Sequence, residues 1–81
     1  MNAHELGNKL KEMYNTHGMN KVAMIHLFGI IYADEIEALE LKVSEIVKLA
    51  ELPESYKTEV SKGLKLAPLV DAKQKYIDRF K

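Results

Sequence analysis

The sequence predicts an all-α fold, a compact bundle of five to six short helices. Residues 22–32 are apolar except for His26 and Gly29, and a helix that is apolar on every side must be covered by other elements. The segments before and after this stretch place apolar residues at helical spacing, which is typical of helices with one buried face. Signals for strands are weak throughout the chain.

We expect a single domain over residues 1–81, because this length is near the small end of what folds alone. The chain has no cysteine, so packing must stabilise it, and 47% of its residues are apolar. The apolar stretch is much shorter than the roughly 20 residues that cross a bilayer as a helix. The first residues also lack the features of a signal peptide. These observations predict a cytoplasmic protein without membrane contact.

The first two helices follow from apolar spacing and capping residues. The first is predicted over residues 3–17, with an inner face of Leu6, Leu10, Met13 and His17. Gly18 is expected to cap its end in the left-handed conformation. Asn20 is the predicted N-cap of the second helix, and Gly29 is expected to end it. Three residues of this stretch are predicted to be buried against the first and last helices: Leu27, Phe28 and Ile31.

The third helix is predicted from Ile31 to Leu41, where acidic residues near its N-terminus favour the helix dipole. Its inner residues are expected to be Tyr32, Ile36 and Leu39. Ser44 is the predicted N-cap of a fourth helix that ends at Ala50. Its inner residues are expected to be Ile46, Val47 and either Leu49 or Ala50.

Pro53 suits the first position of a fifth helix over residues 53–62, with Tyr56 and Val60 on its inner face. Gly63 either caps this helix or lies inside a longer one where another backbone approaches closely, and we favour the cap. A last helix is predicted over residues 68–80. Its apolar residues give the last helix more apolar surface than a terminal helix easily buries, which predicts a homodimer through this helix. These residues are Leu69, Val70, Tyr76, Ile77 and Phe80.

Residues 45–63 match the pattern of a helix-turn-helix motif, in which the second helix enters the major groove of DNA. The matching positions are Ile46, Val47, Ala50, Leu52, Val60 and Gly63. Two positions depart from the pattern: Glu51 stands where the turn usually has glycine, and Lys57 where an apolar residue is usual. Residues 21–40 form an alternative copy with a turn glycine, Gly29. Its second helix is acidic and would repel phosphate, so we favour the 45–63 copy.

The chain also resembles the small bacterial helix-turn-helix-like domain proteins over about residues 20–70. Two segments carry the resemblance. They are Ile25-His-Leu-Phe-Gly-Ile-x-Tyr-Ala-Asp-Glu-Ile36 and Ser55-Tyr-Lys-Thr-Glu-Val-x-Lys-Gly-x-Lys-Leu-Ala67. The resemblance implies the architecture more than a particular activity.

The outward face of the fifth helix is the candidate DNA-binding site, because lysines can contact phosphates and hydroxyls can contact phosphates or base edges. An ordinary solvated face is the alternative. The chain has no net charge, but residues 34–51 carry six acidic residues against two lysines, and residues 52–81 carry seven basic residues against four acidic ones. The candidate residues are Glu54, Ser55, Lys57, Thr58, Ser61, Lys62 and Lys65.

We therefore predict a small protein that binds double-stranded DNA and acts in transcription regulation. The alternative is a non-enzymatic protein–protein interaction module with the same fold. No nucleophile–base arrangement or phosphate-binding loop is visible, so neither catalytic residues nor a cofactor are expected. No metal site is expected either: His4-Glu5 lacks the second histidine of the zinc motif His-Glu-x-x-His. His26 fits a hydrogen-bonded core residue better than a ligand.

Overall fold

The computed structural model describes residues 1–81 and contains six α-helices, one 3₁₀ helix and no strand. This confirms the predicted all-α fold of short helices. In chain order the helices are α1 (Ala3–Tyr14), α2 (Lys21–Ile31), α3 (Ala33–Ala38), α4 (Val43–Leu49), α5 (Lys57–Leu66) and α6 (Gln74–Phe80). The 3₁₀ helix, Glu54–Tyr56, directly precedes α5. No helix combines the length and apolar character needed to cross a membrane.

The apolar stretch forms α2, the central helix, which packs most extensively against α5 and also against α1. Asn20 is its N-cap as predicted, since the side-chain oxygen accepts the Ala23 N–H at 2.9 Å. Phe28 and Ile31 are buried, whereas Leu27 is only half-buried. The largest fully buried side chains come from α1, α2, α4 and α5 and from the junction between α2 and α3: Leu6, Leu10, Met13, Ile25, Phe28, Tyr32, Ile46, Val47 and Val60.

Two glycines allow the backbones of α2 and α5 to come into direct contact. A Cβ atom on Gly29 would lie 2.8 Å from the Val60 carbonyl oxygen and 2.9 Å from the Gly63 Cα. A Cβ atom on Gly63 would overlap the His26 carbonyl oxygen. The predicted end of α2 at Gly29 and the favoured cap at Gly63 are therefore wrong. Each glycine lies inside its helix, and the alternative of a close backbone approach at Gly63 is confirmed.

The predicted boundaries of the first, fourth and fifth helices differ from the structure. The fifth was predicted over residues 53–62, but Pro53 precedes the 3₁₀ helix and α5 runs from Lys57 to Leu66. α1 ends at Tyr14, so His17 is exposed instead of belonging to the inner face. Gly18 is left-handed as predicted, with φ of 79°, but it lies in the loop beyond the C-cap Asn15. α4 begins at Val43 with Lys42 as its N-cap, so Ser44 lies within the first turn.

The third helix is shorter than predicted because it ends in a tight turn. Tyr32 and Ile36 are buried as expected, but Leu39 is the C-cap and is 38% exposed. Glu40 follows with φ of 52°, which breaks the helical path before Leu41. Because the backbone turns away at this point, Leu39 does not reach the core.

The chain between α5 and α6 is not helical, so the predicted helix over residues 68–80 is shortened to Gln74–Phe80. Phe80 is buried, and its carbonyl oxygen accepts a hydrogen bond from the Tyr32 hydroxyl. Lys81 Nζ pairs with Glu35 Oε1 at 2.7 Å. Tyr76 and Ile77 also pack against the core. The apolar side of α6 is thus largely used within the chain, which weakens the basis for a homodimer through this helix.

Candidate nucleic-acid interface

α4, the following turn and α5 form the helix-turn-helix-like unit. α4 ends in a Schellman motif, in which the Leu52 N–H donates to the Val47 carbonyl oxygen at 3.1 Å and the Glu51 N–H donates to that of Lys48 at 3.0 Å. Glu51 has φ of 61°, the left-handed conformation that a turn glycine normally adopts. The sequence departs from the motif at Glu51, but the backbone keeps the motif's geometry.

A lysine of α1 forms an ion pair with the glutamate of this turn. Lys11 Nζ lies 2.7 Å from Glu51 Oε1, and this hydrogen bond lowers the pKa of the Glu51 carboxyl from its ordinary value. Both side chains are well exposed, so the pair contributes little to stability. The cost of the left-handed backbone at Glu51 is therefore only weakly offset by this contact.

Substitutions at Glu51 test the backbone geometry of the turn. We expect Glu51→Gly to unfold at a urea concentration roughly 0.5–1 M higher than Glu51→Ala, because only glycine adopts this conformation without strain. Both variants lose the Lys11 contact, so their difference isolates the backbone effect. At Lys48, exposed within α4, glycine should instead be less stable than alanine. Equal urea midpoints for the two Glu51 variants would contradict a left-handed turn.

The structure places all seven predicted site residues on the outer side of the 3₁₀ helix and α5. The inner side of α5 is formed by Val60 and Gly63, which are buried. Ser61 is half-buried, and the remaining six residues are exposed: Glu54, Ser55, Lys57, Thr58, Lys62 and Lys65. We refer to these seven residues as the α5 face.

Carboxylates partly neutralise the positive charge of the α5 face. Lys57 Nζ lies 3.2 Å from Glu54 Oε1, and Lys62 Nζ lies 3.2 Å from Glu59 Oε1. Lys65 has no carboxylate within 4.0 Å. The two pairs join residues three apart on the helix surface and are weak, so a phosphate could replace either carboxylate.

A contact between His26 and Glu59 was missed by the sequence analysis. His26 Nε2 is hydrogen-bonded to Glu59 Oε2 across the α2–α5 contact, and both side chains are partly exposed. The bonds from His26 and then Lys62 lower the pKa of the Glu59 carboxyl. His26 is hydrogen-bonded as predicted, but it lies at the edge of the core. Because these residues are 33 positions apart, no local sequence pattern links them.

A second missed feature borders the 3₁₀ helix. Tyr14 and Tyr56 join α1 to this helix through their hydroxyl oxygens, which lie 3.1 Å apart. Lys21 Nζ lies 4.5 Å from the centre of the Tyr14 ring and donates a hydrogen bond to the Tyr14 carbonyl oxygen. This contact holds one further lysine near the N-terminal end of the α5 face.

The acidic alternative copy does not form a helix-turn-helix unit. Only Tyr32 separates α2 from α3, and Gly29 lies inside α2 instead of in a turn. On α3, Asp34 and Glu37 are exposed, while Glu35 pairs with Lys81. No group of three or more histidine, aspartate or glutamate side chains is arranged to hold a metal ion.

Comparison with known proteins gives one result that bears on this site. A family model described as an HTH-like domain matches residues 2–73, which include α1 to α5 and end just before α6. No curated protein and no solved structure was found to match the chain.

Proposed function

The chain belongs to the HTH-like domain family, and on this premise we propose that it is a small DNA-binding protein whose α5 face docks against duplex DNA. The observation that carries the proposal is the α4–turn–α5 unit, with a glycine-like turn at Glu51 and an open polar face on α5. A helix presented in this way can enter the major groove. We propose that the protein is non-enzymatic and acts in transcription regulation by occupying its binding site on DNA.

The composition of the α5 face favours contacts to phosphate over readout of bases. Lys57, Lys62 and Lys65 supply the charge, and Lys21 lies near the N-terminal end. The face has neither arginine nor asparagine, the residues best suited to bidentate contacts with guanine and adenine. Thr58 is exposed at its middle and is the residue we assign to a base edge. We therefore expect modest sequence preference and binding that depends strongly on salt.

Titration of duplex DNA at two salt concentrations tests the proposal. The slope of log affinity against log salt is negative, and each phosphate contact adds roughly 0.9 to its magnitude, so three lysine contacts give a magnitude of about 2.7. Lys62→Glu should weaken binding to all sequences and reduce this slope. Thr58→Ala should instead alter the preference among sequences, with little change in the slope.

Lys9→Glu is the matched control, because it makes the same charge change on α1, outside the α5 face. It should reduce affinity much less than Lys62→Glu. If the wild-type protein shows no salt-dependent binding even at low ionic strength, the DNA-binding proposal fails.

A protein-interaction module is the second candidate function, and a specific observation favours it. Leu66, Leu69 and Val70 lie within five positions of one another and remain exposed. A cluster of this kind is more than the scattered exposed leucines found on most surfaces.

A further inference from the structure

An apolar groove lies where α2, α3 and the end of α5 meet. Its volume is about 500 Å³, and it adjoins a smaller depression of about 200 Å³ that is lined in part by Val70 and Ile77. Ile30, Ile31 and Ala67 line both parts. The groove is open to solvent, and Asp34 and Glu37 form its acidic edge. It can therefore accept an apolar side chain that enters from outside.

A fixed apolar protrusion stands beside this groove. Leu69 is 76% exposed, the largest value among the large apolar residues, and Val70 is 42% exposed. The turn that carries them is tied to α5, because the Leu69 N–H donates to the Leu66 carbonyl oxygen at 2.8 Å and the Val70 N–H donates to the same oxygen at 3.1 Å. The protrusion is thus held in place before any partner arrives, which lowers the entropic cost of docking.

The occupant that fits the groove is a second copy of the chain. In a twofold interface the same surface of each copy must carry both the protrusion and the groove that receives it. Here Ala67 and Pro68 line the groove and directly precede Leu69 in the chain. We propose that the chain forms a homodimer in which Leu69 of each copy enters the groove of the other, and Val70 forms part of the wall of that groove.

Charge supports this arrangement. The groove edge is acidic at Asp34 and Glu37, whereas the exposed charged residues beside the protrusion, Lys65, Asp71 and Lys73, sum to +1. In a twofold dimer the acidic edge of one copy faces the basic flank of the other. The chain has a formal net charge of zero, so two copies do not repel each other overall.

The dimer surface shares only Lys65 with the α5 face, because it uses the C-terminal end of α5 and the turn beyond it. The inference does not depend on DNA binding, and its test is made without DNA. If both proposals hold, the twofold axis pairs two α5 faces. The chain measures 27 Å along its longest dimension, comparable with the roughly 34 Å spacing of half-sites one helical turn apart.

Sedimentation equilibrium of the wild-type protein and Leu69→Glu tests this inference. At micromolar concentration the wild type should have twice the 9.2 kDa mass of one chain. Leu69→Glu should raise the dimer dissociation constant by more than about tenfold. Val22→Glu is the control, because Val22 is also exposed and apolar, at 40%, but lies in the first turn of α2 away from the groove. This control should remain dimeric.

Circular dichroism shows whether each variant keeps its helices. If Leu69→Glu loses its helices, the sedimentation experiment is made with Glu37→Lys instead. This variant removes part of the acidic edge and should also weaken the dimer. A wild-type monomer at all accessible concentrations would overturn the inference. A folded Leu69→Glu variant that dimerises as tightly as wild type would overturn it as well.

Discussion

Phe28→Ala is expected to lower the free energy of unfolding by about 3–5 kcal/mol. The Phe28 side chain is fully buried in the middle of α2, with its ring centroid 5.3 Å from that of Tyr32, which is also fully buried. A domain of this size is stabilised by only roughly 5–15 kcal/mol. We therefore expect most of the variant to be unfolded at physiological temperature, as measured by thermal denaturation followed by far-UV circular dichroism.

Leu27→Ala is the neighbouring control. Leu27 is half-buried, so its truncation removes less apolar contact and should lower the melting temperature by clearly less than Phe28→Ala does. A Phe28→Ala variant that melts like the wild type would contradict the central position of α2 in the core.

Gly63→Ala is expected to destabilise the chain by about 1–3 kcal/mol or more, although the same change in an exposed helix is stabilising by about 1 kcal/mol. The reversed sign arises because the added Cβ overlaps the His26 carbonyl oxygen and lies 3.1 Å from the Gly29 Cα. These are backbone atoms of α2, which cannot rotate away as a side chain could. Urea denaturation measures the change, and Lys65→Ala, exposed on the same helix, should be nearly neutral.

The same contact can be tested from α2. Gly29→Ala should also destabilise, because its Cβ would approach the Val60 carbonyl oxygen and the Gly63 Cα. The two substitutions affect one contact, so the double variant should lose less stability than the sum of the single losses. Stabilisation by either substitution would show that α2 and α5 are further apart.

Local sequence patterns predicted the elements whose determinants are close together in the chain. Asn20 is an N-cap because its side chain reaches an N–H three residues away, and the core positions of α4 follow from helical spacing. Gly29 and Gly63 were misassigned because glycine usually favours helix ends. Their actual role depends on contact between segments 34 positions apart.

The ends of α3 and α4 share a sequence pattern. Ile36-Glu-Ala-Leu-Glu-Leu41 and Val47-Lys-Leu-Ala-Glu-Leu52 both form Schellman motifs with a left-handed glutamate. In each, the last leucine packs beside the core. Glutamate is an unusual residue for this position, and the absence of glycine concealed the turn at Glu40. The alignment of these two segments would have shown where α3 ends.

The position of the candidate site could be predicted from the sequence, but the charged residues that surround it could not. A helical projection was enough to place the seven residues of the α5 face on the surface, since only the inner side of α5 had to be identified. The partners of those residues come from elsewhere. Glu59 is held by His26 of α2, and Lys21 is held by Tyr14 of α1, so the local electrostatics depend on packing that the sequence does not encode locally.

The backbone contact between Gly29 and Gly63 also determines how the molecule can fluctuate. Because the two backbones are in contact there, we expect α5 to move together with α2 and its amides to exchange with solvent when the core opens as a unit. α6 is attached through the buried Phe80, the partly buried Tyr76 and Ile77, and the ion pair of Lys81 with Glu35. We expect it to open locally while α2 and α5 stay together. The backbone of the α5 face should therefore need no ordering when a partner binds, although its exposed side chains do.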